Sequence, residues 1–161
     1  MSEKAGPISW QLDPASALAQ RCAALAEGFP VSPALTAEVC WCVRARGDWL
    51  AGVIAPGFVR IFLLPGGGEL WGDIPLGQQR YVALGSMDWR FAAAHDPVLG
   101  DYQFVDLVRP ISQVLGTAAA RLLVGDACLA LGLGAPVTTA SEEPRKPVSR
   151  RGFLRALSGR R

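Results

Sequence analysis

The sequence predicts an α+β fold: a mostly antiparallel sheet of about five to six strands, with one helix before it and one after it. Three observations carry this. Between residues 39 and 107, short runs rich in Val, Ile, Trp, Phe and Tyr are separated by Gly- and Pro-bearing breaks, the pattern of strands joined by tight turns. Apolar residues at helical spacing occur only on either side of that stretch. From Gly134 the composition changes to Pro, Thr, Ser, Glu and Arg, so residues 1–133 are expected to form one domain and residues 134–161 a disordered basic tail.

The first helix is bounded by its own chemistry. Asp13 is placed to cap it and Pro14 suits a first helical position. Leu18, Cys22, Leu25 and Phe29 share one face, and Gly28 and Pro30 end it. A strand over 39–46 follows, with Val39, Trp41, Val43 and Ala45 turned to the core and Cys40, Cys42, Arg44 and Arg46 on the other face. Gly47-Asp48 reads as a turn into Trp49–Ala55, Pro56-Gly57 breaks that strand, and Phe58–Leu64 is apolar enough to be central. Pro65-Gly66-Gly67-Gly68 reads as a flexible hairpin connection. Arg80–Leu84, the Gly85-Ser86 turn, Met87–Phe91 and Tyr102–Leu107 complete the sheet. Pro110 opens the last helix, whose predicted apolar stripe is Ile111, Val114 or Leu115, Ala118, Leu122 and Leu129, closed by Gly132, Gly134 and Pro136.

Composition removes several function classes. Half of the 161 residues are apolar, enough for a real core. The most apolar stretch, Trp49 to Pro65, contains Pro56, Gly57 and Arg60, and two strands and a turn describe it better than a membrane span. The net charge of +2 hides a division. Residues 134–161 carry seven basic side chains against Glu142 and Glu143, a charge of +5, which leaves −3 on residues 1–133. A negative body repels phosphate, so nucleic acid is not the expected partner.

Catalytic and metal chemistry are poorly supplied. His95 is the only histidine and is expected in a loop beside Asp96-Pro97, with no nucleophile-elbow sequence to accompany it. The glycines of 66–68 lack the Gly-Lys-Ser/Thr ending of a phosphate-binding loop. Cys40-x-Cys42 alone has metal character. Two thiols on one strand face beside Arg44 and Arg46 would suit a metal or redox carrier, whereas burial under a helix is the simpler reading. No enzyme activity and no cofactor are expected. Nothing directs the cysteines to an oxidising compartment, and Met1–Pro7 has no signal architecture, so a cytoplasmic protein with reduced thiols is expected.

The residues Ser149-Arg150-Arg151-Gly152-Phe153-Leu154-Arg155 read like a twin-arginine export signal, but no apolar segment follows them. A basic tail made only for solubility has no need of Phe153 and Leu154 directly after an arginine pair. A +5 signal-like segment tethered to a −3 body is expected to fold back on that body.

Several stretches, taken together in order and spacing, resemble the HybE-type [NiFe]-hydrogenase assembly chaperones. They are Trp49-Leu50-Ala51-Gly52-Val53-Ile54-Ala55-Pro56, Leu63-Leu64-Pro65-Gly66, Leu70-Trp71, Gly100-x-Tyr102, the Leu107-x-x-Pro110 run and Arg150-Arg151-Gly152-Phe153-Leu154. The likeness is good over residues 49–131 and separate in the tail. It departs at Gly57, where the family usually has an aromatic, and at Val105-Asp106, where a Cys-Ser pair is common. The resemblance implies a non-catalytic cytosolic chaperone. Such a protein would bind the large- or small-subunit precursor of a hydrogenase, with other maturation proteins as further partners, and restrain twin-arginine export of the small subunit until assembly is complete. On that basis Trp71, Phe58, Trp49, Arg150, Arg151, Phe153 and Leu154 are the candidate partner contacts, while Gly52, Pro56, Pro65, Gly66, Tyr102 and Pro110 shape the fold.

Overall fold

A computed structural model describes residues 10–28, 32–108 and 116–133. The elements run α1 (Ala15–Leu25), β1 (Glu38–Ala45), β2 (Asp48–Ala55), β3 (Phe58–Leu64), β4 (Gln79–Leu84), β5 (Met87–Asp96), β6 (Gly100–Asp106) and α2 (Thr117–Ala130). The six strands form one antiparallel sheet in the order β1-β2-β3-β6-β5-β4. The α+β expectation, with a helix at each end of the chain, is met.

The two helices lie on opposite faces of the sheet and define two cores. Under α2, the residues Ala120, Leu123, Val124 and Ala127 pack with Trp41, Leu50, Ile54, Ile61 and Phe91. On the other face, Leu18 and Cys22 of α1 pack with Val53, Phe62, Leu64 and Tyr102. Every residue of β2 and β3 is buried because both faces of the sheet are covered there, which is why Phe58–Leu64 reads as a continuous apolar run. At the far edge β4 alternates, with Val82 and Leu84 buried and Tyr81 and Ala83 exposed.

The close of α2 at Gly132 is as its residues foretell, but the starts differ: Pro14 is itself the N-cap of α1, and α2 begins at Thr117 behind an extended Gly116 rather than at Pro110. Asp13 Oδ1 accepts the Ala15 N–H at 2.8 Å, directly ahead of α1. At the end of α2, Gly132 takes φ +79°, its N–H reaches Leu129 O at 3.0 Å, and Leu133 N–H reaches Cys128 O at 3.2 Å. That pair of bonds is a Schellman closure, which needs a left-handed residue at Gly132.

Four sequence expectations need correcting. The stripe of α2 is rotated: Ala120, Leu123, Val124, Ala127 and Cys128 face the sheet, while Ala118 is exposed, Leu122 is 53% exposed and Leu129 is only half-buried. The inner face mixes small residues with Leu123 and Val124, and the outer face is apolar too, so helical spacing alone does not separate them. In β1 a bulge lies between Val39 and Trp41, which pair with Val53 and Gly52; Cys40 is the extra residue. Arg46 leaves the strand for the turn at φ +50°, and Asp48 begins β2 rather than ending the turn. His95 sits within β5, opposite Asp101 of β6, not in a loop. Phe29, Pro110, Ile111, Val114, Leu115, Gly134, Pro136 and the tail lie outside the described residues.

Candidate functional site: a loop held by a buried carboxylate

The connection from β3 to β4 is not a hairpin. It starts in the middle of the sheet and ends at the far edge, passing β6 and β5 on the face that α2 also covers. Asp48, at the head of β2 and fully buried, holds its first half. Its Oδ1 accepts the N–H groups of Gly66 (2.7 Å) and Gly68 (3.0 Å), and its Oδ2 those of Leu70 and Trp71 (2.8 Å each). A carboxylate with four backbone donors is a strong fixing point in a dry site, because each bond is charge-assisted.

The glycines serve close approach. A Cβ on Gly66 would overlap Gly47 O, and one on Gly68 would overlap Arg46 O and the Gly47 backbone. The loop therefore lies directly on the β1–β2 turn and is pinned, where the sequence had suggested a flexible link. Its second half is tied from the other side. Arg80 Nη1 donates to Leu70 O (2.8 Å) and to Gln103 Oε1 (3.0 Å), and Gln103 Nε2 donates to Gly72 O (2.7 Å). Gln103 is fully buried, so this bridge is part of the core.

The loop presents Trp71. Its indole is partly covered by the core under α2, and its Nε1 donates to Asp73 Oδ1 at 2.8 Å. The other candidate aromatics are placed differently. Phe58 is 2% exposed, with the Arg60 guanidinium 4.6 Å from its ring centroid. Trp49 is 9% exposed, donates to Trp10 O (2.9 Å) and lies under Arg44. As folded, these two rings have little surface to offer a partner. Arg150, Arg151, Phe153 and Leu154 lie outside the described residues.

The family-motif positions have identifiable physical tasks. A Cβ on Gly52 would overlap the Val124 side chain and lie 2.6 Å from the Trp41 indole, so glycine lets α2 sit close to β2. There Trp41 Nε1 donates to Val124 O at 3.0 Å. Pro56 O accepts the Ser32 N–H (2.7 Å) at the β2–β3 turn, and Pro65 O accepts the Trp10 N–H (2.7 Å). Tyr102 is buried with its ring 5.2 Å from Phe62.

Cys40 and Cys42 do not share a face. The bulge turns Cys40 towards the core under α2 and leaves Cys42 against the core under α1. Burial pushes the Cys40 thiol up to about 12, helped by Glu38, and burial followed by Asp13 pushes Cys42 up as well. Both are held as thiols, the opposite of the activated pair their spacing suggested. Among the described residues no three His, Cys, Asp or Glu side chains converge on one point. His95 Nδ1 lies 2.8 Å from Asp101 Oδ1 on the exposed surface.

Sequence reasoning missed Asp48, Arg80 and Gln103. The only signal was an acid at the head of a wholly apolar strand, immediately upstream in the fold of a loop rich in free N–H groups. A concavity elsewhere on the sheet was also missed. Below the Ala92–Phe104 pair the β5–β6 ladder stops, and the strands part around a cavity of about 480 Å³ lined by Trp89, Arg90, Phe104, Asp106 and Leu107.

A sheet with a helix on each face, a loop pinned by a buried carboxylate and cysteines buried as thiols together define an α+β scaffold that fixes one aromatic side chain, Trp71. The chain is matched over residues 23–156 by the family described as "[NiFe]-hydrogenase assembly, chaperone, HybE". That match spans most of the sequence, and the chain belongs to this family, as the residues from Trp49 to Trp71 implied. The fold is similar to the solution structure of HybE from Escherichia coli, with a TM-score of 0.62 at 19% identity, over 88% of this chain and 92% of that one. No curated protein sequence matches it. No helix among the described residues is long and apolar enough to cross a membrane.

Proposed function

We propose that this protein is an assembly chaperone for a [NiFe] hydrogenase. It acts by transient binding to a precursor subunit and restrains twin-arginine export of the small subunit until assembly is complete. Membership of the assembly-chaperone family across residues 23–156 carries the reading. The physical support is the loop between β3 and β4. An aromatic anchor contributes most to binding when its rotamer and backbone are fixed beforehand, because less freedom is lost on association. The backbone around Trp71 is fixed by Asp48 and by the Arg80–Gln103 bridge, and its indole by Asp73. The negative body suits a client whose exposed segment is basic. The work is non-catalytic and takes place before export, in the cytoplasm.

The test is a tagged pull-down from the cytosol of cells making a [NiFe] hydrogenase, with mass spectrometry of the captured chains. Recovery of the large-subunit precursor, the unprocessed small subunit or both is expected. Trp71→Ala should cut the yield by about tenfold or more, the loss of a central aromatic anchor. Capture of neither subunit discards the reading, and undiminished capture by Trp71→Ala removes Trp71 from the contact.

A further inference from the structure

Helix α2 is apolar on the side that does not face the sheet. Ala118, Leu122, Gly125 and Leu129 follow one another at spacings of four, three and four, so they form one stripe along the outside. Leu122 is 53% exposed, and Leu129 and Gly125 are only half-buried. A Cβ on Gly125 would meet nothing within 4 Å, so the middle of the stripe is open ground. The helix has just two charged residues. Arg121 is engaged with Glu38 of β1, its Nη2 2.6 Å from Glu38 Oε1. Asp126, beside the stripe, has no hydrogen bond or ion pair among the described residues, and partial burial raises its pKa. An exposed apolar stripe of this kind suits a covering segment, and Asp126 favours one that brings positive charge.

We propose that the outer face of α2 is the seat of this chain's own segment Arg150–Leu157, with the arginine pair on Asp126 and Phe153, Leu154 and Leu157 on Leu122 and Leu129. Three observations select that occupant. The segment is attached at the end of the helix it would cover, since the link 134–149 starts one residue past Leu133. A sixteen-residue link with the dimensions of a random coil would span about 22 Å, and the 14-residue α2 is about 21 Å long, so every point of the stripe is within reach. The charges are complementary in place and in sum, with an unpaired acid on the stripe and +5 in the tail against −3 in the remainder. The docking stands on α2 and the tail sequence, and its failure would leave the chaperone reading untouched.

Effective concentration sets the expected size. A short link gives about 1 mM, so a segment binding with a Kd of about 0.1 mM would be undocked roughly one tenth of the time. Amides that exchange only when undocked would then be protected about tenfold. The experiment is millisecond hydrogen exchange with mass spectrometry on the full chain, with a free peptide of residues 145–161 as reference. About tenfold protection over residues 150–157 is expected, lost in Leu122→Glu and in Asp126→Lys. It should return when Asp126→Lys is combined with Arg150→Glu and Arg151→Glu. Leu122 and Asp126 are both surface positions, and unchanged exchange in the sheet will show that each variant is folded. Exchange equal to that of the free peptide overturns the proposal. So does protection that survives Leu122→Glu, which would place the seat elsewhere, or protection that fades on dilution, which would make the cover a second copy of the chain.

Discussion

Replacing Asp48 with alanine tests the account of the loop most directly. The change strands four backbone donors at once. Those of Gly66 and Leu70 are buried, and those of Gly68 and Trp71 are part-buried and can turn to water. A buried donor left without a partner costs about 1–3 kcal/mol, so the two buried ones with a smaller share from the others come to about 4 kcal/mol. With about 2.1 cal/mol/K of unfolding entropy per residue over the 114 described residues, that lowers Tm by about 17 °C. Asp48→Asn separates geometry from charge. Its carbonyl can still take the Gly66 and Gly68 bonds, but its NH2 faces the Leu70 and Trp71 donors, so about half the loss, ~8 °C, is expected. The assay is thermal unfolding followed by circular dichroism, with amide exchange at residues 66–71. In the asparagine variant the Leu70 and Trp71 amides should exchange fast while Gly66 stays protected. If Asp48→Ala melts within about 4 °C of the parent, or Leu70 and Trp71 remain protected in it, the carboxylate does not hold the loop.

Three further outcomes are expected. Gly52→Ala places a methyl where Val124 and the Trp41 indole already lie, so α2 must lift; a loss of about 2–4 kcal/mol in urea unfolding is expected, and a loss under ~0.5 kcal/mol would mean the helix contact is loose. Burial works to raise the Asp96 pKa, but the Arg21 guanidinium, at 2.9 Å, and the Leu99 and Val98 N–H groups outweigh it and hold it below the usual carboxylate value. The stability this gives is present above the unfolded pKa near 3.8 and is lost as pH falls through the lower folded value, so the acid limb of a Tm–pH curve should flatten in Asp96→Asn; an unchanged limb would refute the pairing. Cys40 and Cys42, held as thiols, should react with iodoacetamide at pH 8 at least ~100-fold slower than in urea, and reaction at the unfolded rate would reopen the carrier reading.

Much of the fold was legible because local chemistry and tertiary environment agree. Pro56-Gly57 and Gly85-Ser86 mark turns that the sheet uses, and the alternation of β4 survives because only one of its faces is covered. The failures share a cause, which is that two faces are buried. Where both sides of the sheet lie under helices, alternation carries no information about which side is the core, and β1 could hide a bulge. Helix α2 shows the same ambiguity: with apolar residues all round, the larger side chains drew attention to the wrong stripe. Ala120 and Ala127, with Val124 seated over Gly52, make the inner contact instead, because glycine in the strand lets the helix approach closely.

The candidate site was half legible for a different reason. Trp71 stands out as a large aromatic after a glycine run, so it could be named from composition. What makes it useful is Asp48, twenty-three residues earlier, together with Arg80 and Gln103 on two other strands. Such contacts have no period and no local signature, since they depend on which strand ends meet. The bulge at Cys40 likewise could not be read from the sequence, and it bears on the cysteine pair. Without it, the two thiols would stand on one face at a spacing that suits a metal; with it, they enter separate cores and lose their charge. One inserted residue in one strand therefore counts against a carrier and in favour of a scaffold. The proposed contact therefore rests on the loop between β3 and β4, where Asp48 and Asp73 fix Trp71.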